Sequence, residues 1–378
     1  MVLPITSGTV GQYPWDQRRI IEHGVRRAGF FPEAISAQDI EIAQDLLSGI
    51  MSEWVAAGFP LWTRQYILLG CQIGSEDVAT PLGTVDIIHS YWRILNPWRG
   101  AVSQTLDLEP TSIDASILVG GAPNADVTIP GPNPGIMVNF SGAQELDTIG
   151  VLWGGSTPVT TSLQVYTSPD SITWTLLKAL DSATYTPGIW TYFDLNPPAM
   201  TQYVQVVYPT TGSWLINQMN FGLANGSDIM LGDLNIDDYY NLPNKKQQGD
   251  RAVSAFVDRK VNYPVLKIWQ TLNPSGFYNG TVTALVRRYI QDPGSMTNAM
   301  ELPQRGIEAL IWRLAQRLVY ELPERQDTQS ANPITVMQKG QRIQMIEQNA
   351  MKAEMLFWAE ERAHGPIRIM PNLRPYTR

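Results

Sequence analysis

Cysteine is nearly missing from this sequence: one residue, Cys71, stands among 378. No intrachain disulfide can form, so the fold has to hold by packing, as in proteins made in a reducing compartment. Histidine is scarce as well. His23, His89 and His364 fall in three separate segments and in no pattern such as H-E-x-x-H, which leaves metal-site and triad chemistry without its usual parts. Each reads as a solvent-facing or structurally hydrogen-bonded imidazole. No P-loop and no G-x-G-x-x-G occurs, so no phosphate or dinucleotide cradle is expected. Nowhere do about 18 apolar residues run together, and the opening MVLPITSGTVG has neither a basic nor an apolar leader region; neither a membrane span nor a secretory signal is expected. The adjacent acids Asp237 and Asp238, and Glu360 and Glu361, read as solvated charges rather than acid–base pairs. No enzyme, cofactor or metal is expected.

What is present is an ordinary globular composition, 44% hydrophobic and 16% charged, over a length suggesting two or three domains. Basic residues are absent in one place. Residues 106–224 hold nine acidic side chains against a single basic one, Lys178, so this stretch carries the whole net charge of −8 and the remaining chain is balanced.

Periodicity divides the chain at the same place. Ile21, Val25 and Ala28 mark a short amphipathic helix ended by Gly29, and Ile40, Ala43, Leu47, Ile50 and Trp54 mark a second, with Ser36 and Asp39 placed as a capping box and Gly58 at its end. Leu61–Leu69 and Thr84–Leu95 read as strands. From about 105 to 225 no helical period survives. Short apolar or alternating runs are cut by Gly131-Pro-Asn-Pro-Gly135, Gly154-Gly155-Ser, Thr186-Pro-Gly and Asn196-Pro-Pro, the texture of a β-sandwich or jelly roll. Within it LQVYTSPDSITWTLL, residues 163–177, reads as a hairpin turning at Pro169-Asp170. Strands at Val265–Trp269 and Val282–Ile290 follow, then a helix after Pro303 faced by Ile307, Leu310, Ile311, Leu314, Leu318 and Leu322, and a last helix over about 335–363. The tail from His364 to Arg378 has three Arg, three Pro and no acid, and reads as extended.

The expected fold is therefore α+β and multi-domain: a helical body with a small β element, interrupted by an inserted all-β sandwich. The divisions fall at 1–105, 106–224, 225–363 and a tail at 364–378. Insertion at an exposed loop is the usual route to such an order. In the sandwich, Trp153, Trp174, Trp190 and Trp214 read first as core, with a sugar-stacking platform as the functional alternative. Trp54, Trp312 and Trp358 read as core or subunit contacts.

The flanking halves resemble the head-to-tail adaptor proteins of short-tailed bacteriophages. The resemblance is carried, in order, by RRAGFFPEAISAQDIEIAQDLLSGIMSEWVAAGFPLWT (26–63), TVDII (84–88), DYYNLPNKKQQG (238–249), VDRK (257–260), PVLKIW (264–269), VRRYIQD (286–292) and MELPQRGIEALIWRLAQRLV (300–319). Separately, LVGGAPNAD (118–126), VYTSPDSITW (165–174), QYVQVVY (202–208) and INQMNFG (216–222) resemble a discoidin or galactose-binding-like sandwich. It departs from that family in lacking the cysteine pair that often closes the sandwich and in having Gln202 where Arg is common, so no ligand residue carries over.

The adaptor resemblance implies a virion protein at the head–tail junction, made in the host cytoplasm: a homo-oligomeric, dodecameric ring between the portal protein and the tail nozzle or tube, with genomic DNA passing through unbound by sequence and no membrane involved. The acidic sandwich would sit on the outer rim, for a tail fibre, a spike or a glycan. Expected portal contacts are Phe357, Trp358, Ile367, Arg368, Ile369, Met370, Arg374 and Tyr376; expected subunit contacts are Ile343, Ile346, Ala350 and Ala353; Trp153, Trp190 and Trp214 are the rim candidates. Two alternatives stay open, a carbohydrate-binding adhesin and a tail-associated muralytic enzyme.

Overall fold

The computed structural model describes residues 15–30, 36–58, 60–95, 100–106, 109–111, 126–129, 135–208, 214–222, 226–322 and 333–361. Its compact units are Met1–Arg64 with Arg288–Arg378, and Gln65–Arg287. This division differs from a host body set apart from residues 106–224, because the β elements flanking the sandwich cluster with the sandwich.

The first unit is helical. Gln17–Ala28 starts at Asp16, whose carboxylate accepts from the Arg19 N–H at 2.8 Å, and stops at Gly29, with φ +94°, a conformation open to glycine. Ala37–Ala57 has the expected capping box: Ser36 Oγ accepts from Asp39 N and Asp39 Oδ2 accepts from Ser36 N. Its buried stripe is Ala43, Leu47, Ile50 and Trp54. Both pack on Gln304–Glu321, which buries Ile307, Leu310, Ile311, Leu314 and Leu318. Arg27 fixes one crossing, pairing with Glu308 at 2.7 Å while lying 4.5 Å over the Trp312 ring. The last helix, Pro333–Glu360, also packs on Gln304–Glu321. Among the described residues no helix is long and apolar enough to cross a membrane.

The second unit contains the sandwich. Its eight-stranded sheet runs Glu109–Thr111, Gly100–Leu106, Gly135–Trp153, Trp190–Val207, Val159–Ser168, Thr175–Tyr185, with Trp214–Phe221 pairing Val127–Ile129 and Gly135–Trp153. The sheet thus begins at Gly100, upstream of the boundary placed at 106. Its two long strands pair antiparallel and change phase: Ile136, Val138 and Phe140 point to the core, then Ile149, Val151 and Trp153. The partner strand switches likewise from Phe193 and Leu195 to Val204 and Val206. Register shifts after Asp194 and Thr201 cause this: each leaves three extra residues on one strand, and an odd offset flips every later side chain. The continuous apolar texture of the region follows from these flips.

The hairpin forms, but with a longer turn than Ser-Pro-Asp-Ser. Thr167 pairs Thr175, Ser171 takes φ +62°, and Asp170 Oδ1 accepts from Ile172 N and Thr173 N at 2.9 and 2.8 Å. The Thr173 N–H first, then that of Ile172 and the Ser168 hydroxyl, hold the Asp170 carboxyl down at about 2. The folded value lies below the unfolded one, about 3.9. The turn therefore holds its full contribution above the unfolded value and loses it as pH falls through about 2. A carboxyl titration by NMR should place Asp170 near 2; an unshifted midpoint would contradict this turn.

Around the sandwich lies the β element. One sheet orders Arg64–Leu69, Gly280–Arg288, Thr84–Ile94 and Ser227–Met230; another orders Gly232–Asp233, Ser254–Asp258, Val265–Trp269 and Asp77–Ala79. Their common core holds Leu69, Val78, Trp92, Leu266, Ile268, Phe277 and Val282, and it also takes in Leu152 and Trp190 from the sandwich. Leu152 and Trp190 lie across from one another in the ladder, on the face turned away from the sandwich interior. The strands there are buried on both sides, so the sandwich is seated on the β element. Cys71 belongs to the same core, where burial pushes its thiol up to about 11.

Candidate functional site

Where the sandwich meets the β element there is a hollow of about 320 Å³, at the small end of the roughly 300–1,000 Å³ typical of ligand pockets. Asp126, Trp153, Gly154, Gly155, Gly188 and Asn217 line it from the sandwich, and Gln72, Ile73, Phe277 and Tyr278 from the other side. Local chain geometry keeps it open. Gly155 and Gly188 have φ of +82° and +76°, where side chains are disfavoured, so two stretches of wall are bare backbone. At Gly154 a Cβ would run into the Asp126 carboxylate, which needs that approach. Asp126 then clasps two further segments: Oδ2 accepts from the Gly155 N–H at 2.8 Å and Oδ1 from the Asn217 amide at 3.2 Å.

The lining is part apolar and part polar. Trp153 forms a buried wall, stacked on Tyr185 at 5.1 Å. Tyr278 is half-buried, its ring edge-on to Phe277 at 5.1 Å. Burial first, then the nearby Asp126 charge, raise the Tyr278 phenol above its ordinary value. The hollow thus offers a carboxylate, two carboxamides, exposed backbone and an aromatic side chain, the set that recognises a polyhydroxylated molecule. Among the described residues Asp126 is the one carboxylate lining it.

The residues singled out in the sequence are placed differently. Trp153, Trp190 and Trp214 are 1%, 2% and 2% exposed, so none offers a face on an outer rim; they fill core because their strands pack on both sides. Trp174, in the hairpin turn, is half-buried. Of the expected subunit contacts, Ile346 and Ala350 are buried and Ile343 and Ala353 half-buried, on the face the last helix turns into its own unit. Phe357, expected at a portal contact, is 2% exposed and packs against Trp54 at 5.3 Å and Trp62 at 5.9 Å; Trp358 is half-buried at 5.3 Å from Trp54. Ile367, Arg368, Ile369, Met370, Arg374 and Tyr376 lie outside the described residues.

Other motifs resolve simply. His23 stands edge-on to Trp15 at 5.1 Å, and exposed His89 lies 6.4 Å from Tyr91. His364 lies outside the described residues. Asp237 and Asp238 are exposed, in keeping with solvated charges. Glu361 is not solvated: it is 3% exposed, accepts from Leu61 N at 3.2 Å and pairs with Arg305, which makes it a structural anchor. Among the described residues no cluster of His, Cys, Asp and Glu could hold a metal ion.

No family model and no curated protein matches the chain. Solved structures do. The module CBM32-1 from a family 31 glycoside hydrolase of Clostridium perfringens shares 15% identity at a TM-score of 0.28, covering 34% of this chain and 97% of its own. The chitosan-binding module 1 from a chitosanase/glucanase of Paenibacillus sp. IK-5 shares 16% at 0.27, covering 33% and 96%. The family 32 CBM of C. perfringens NanJ, solved in complex with galactose, shares 15% at 0.26, covering 32% and 91%. Each match spans about a third of this chain and nearly the whole of the module it matches.

Proposed function

We propose that this chain is a carbohydrate-binding protein that receives its ligand in the hollow between sandwich and β element, and that it binds without cleaving. The observation carrying this reading is the lining itself. Asp126 and Asn217, clasped in position, can hydrogen-bond neighbouring hydroxyls, and the Tyr278 ring gives the apolar edge of a sugar a surface to rest on. Titration calorimetry of the full chain against a panel of mono- and oligosaccharides tests the reading. Saturable heat with at least one sugar is expected; flat traces across the panel would end it.

A second reading, compatible with the first, is the head-to-tail adaptor, with the sandwich as the part that meets fibre, spike or glycan. It is supported by the outer face of the last helix, where Met345, Met351, Met355 and Leu356 are 53–66% exposed opposite buried Ile346, Ala350 and Phe357. A ring of heterologous contacts needs an apolar patch of this kind on one side of each subunit. Replacing Met351 and Met355 together by Glu should abolish ring formation with a portal in negative-stain images while leaving the monomer folded. Rings formed equally well by that variant would count against this reading.

A further inference from the structure

We infer that the hollow selects amine-bearing sugars over neutral ones and discriminates against acidic ones, with the Asp126 carboxylate as the selecting group. This rests on the hollow being a carbohydrate site and adds its ligand class. Among the described residues Asp126 is the one charged side chain in the lining, and no Lys, Arg or His joins it there. The charge that the described lining presents is therefore negative. Its reach is visible at Tyr278, on the opposite side, whose phenol feels the Asp126 charge.

Geometry leaves the carboxylate free to act. Each oxygen accepts one hydrogen bond, from Gly155 N and from Asn217 Nδ2, and a carboxylate oxygen has room for two. The two bonds fix its orientation without neutralising it, since both donors are uncharged amides. A protonated amine on the sugar would complete the set with a charge-assisted hydrogen bond, which is roughly twice as strong as its neutral counterpart. A uronic or sialic carboxylate would meet a like charge with no cation to relieve it.

The test uses the full chain and three probes of equal length: a glucosamine oligomer, its N-acetylated counterpart and a galacturonate oligomer, each titrated at low and high salt while the amine is protonated. The amine form should bind about tenfold more tightly than the acetylated form. The uronate should bind most weakly, and the amine advantage should shrink in salt. In Asp126→Asn, which retains an oxygen for Gly155 N, the ratio of amine to acetylated affinity should fall to about one, whatever binding each form loses. Equal affinity for amine and acetylated forms, tighter uronate binding, or an advantage that survives both high salt and Asp126→Asn would overturn the inference and leave the carbohydrate reading standing. The salt series on the unmodified chain decides even if the variant fails to fold. Absence of binding to every probe and to the wider panel would overturn both.

Discussion

Replacing Asp228 by Ala should cost the unit formed by residues 65–287 about 2 kcal/mol, between the values for surface and buried ion pairs, because the Arg93 side chain is 9% exposed and that of Asp228 28%. Arg93 explains the size. It is 7% exposed and its guanidinium forks onto Asp228, Nε to Oδ1 and Nη2 to Oδ2, both at 2.7 Å. Tyr66 adds its hydroxyl to the same carboxylate, and Arg93 lies 5.1 Å over the Tyr66 ring. Without Asp228 the guanidinium keeps the Tyr66 oxygen at 3.2 Å but loses both carboxylate oxygens. The position magnifies the effect: Arg93 is on the last strand before the sandwich and Asp228 on the first strand after it, paired in register, so the ion pair closes the base from which the sandwich grows. The pair also titrates. Burial pushes the Asp228 carboxyl up, but the hydrogen bonds from Arg93 and Tyr66 and the Arg93 charge outweigh it and hold it below its ordinary value. The contribution is therefore complete above the unfolded carboxylate range and is lost as pH falls through the folded value. Denaturant melts of the two proteins should differ at neutral pH and converge in acid; coincident melts at neutral pH would refute the role of this pair.

The Trp190→Ala variant should lose about 4 kcal/mol, in the range for emptying a buried tryptophan site, and should lose saccharide binding as well. Trp190 is 2% exposed, lies parallel to Tyr192 at 5.9 Å and tilted to Phe277 at 6.3 Å, and donates its Nε1–H to the Phe277 carbonyl at 3.3 Å. Gly70 comes so close that a Cβ there would strike the Trp190 carbonyl. Truncation opens a cavity between sandwich and β element and frees Phe277, which borders the hollow. Trp153→Ala would damage the sandwich interior instead. Comparing amide hydrogen exchange in the two variants separates them: Trp190→Ala should speed exchange around Leu152 and residue 190 on the seam while the sandwich interior stays protected. A variant as stable and as ligand-competent as the parent would show that the seam is superficial.

Much of the fold could be read from sequence, and the reasons are local. The two N-terminal helices and Gln304–Glu321 declare themselves through a 3.6-residue stripe and through caps at Ser36, Gly29 and Gly58, all short-range chemistry. The hairpin declares itself at Pro169-Asp170, though its true turn runs on to Trp174 because Asp170 captures two amides beyond the four-residue pattern. The seating of the sandwich was less accessible. Leu152 beside Trp153, and Trp190 shortly before Phe193, put large apolar groups on both faces of one ladder. That is the mark of strands buried on two sides, but apolar runs broken by bulges obscure it. The site was not legible. Asp126 and Asn217 are 91 residues apart and Tyr278 lies further on, each ordinary in its own segment, and only the return of the chain from sandwich to β element brings them together. The tryptophans drew attention by their flat faces, yet a large flat side chain on a ladder that packs on both sides is core first.

The most direct measurement on the central claim is a saccharide titration of the full chain followed by amide and indole NMR. Shifts should concentrate at Gly155, Gly188, Asn217, Tyr278 and the Trp153 indole, saturating with the calorimetric affinity. Shifts of that kind gathered at the hairpin turn or on the helices, with the hollow unmoved, would contradict it.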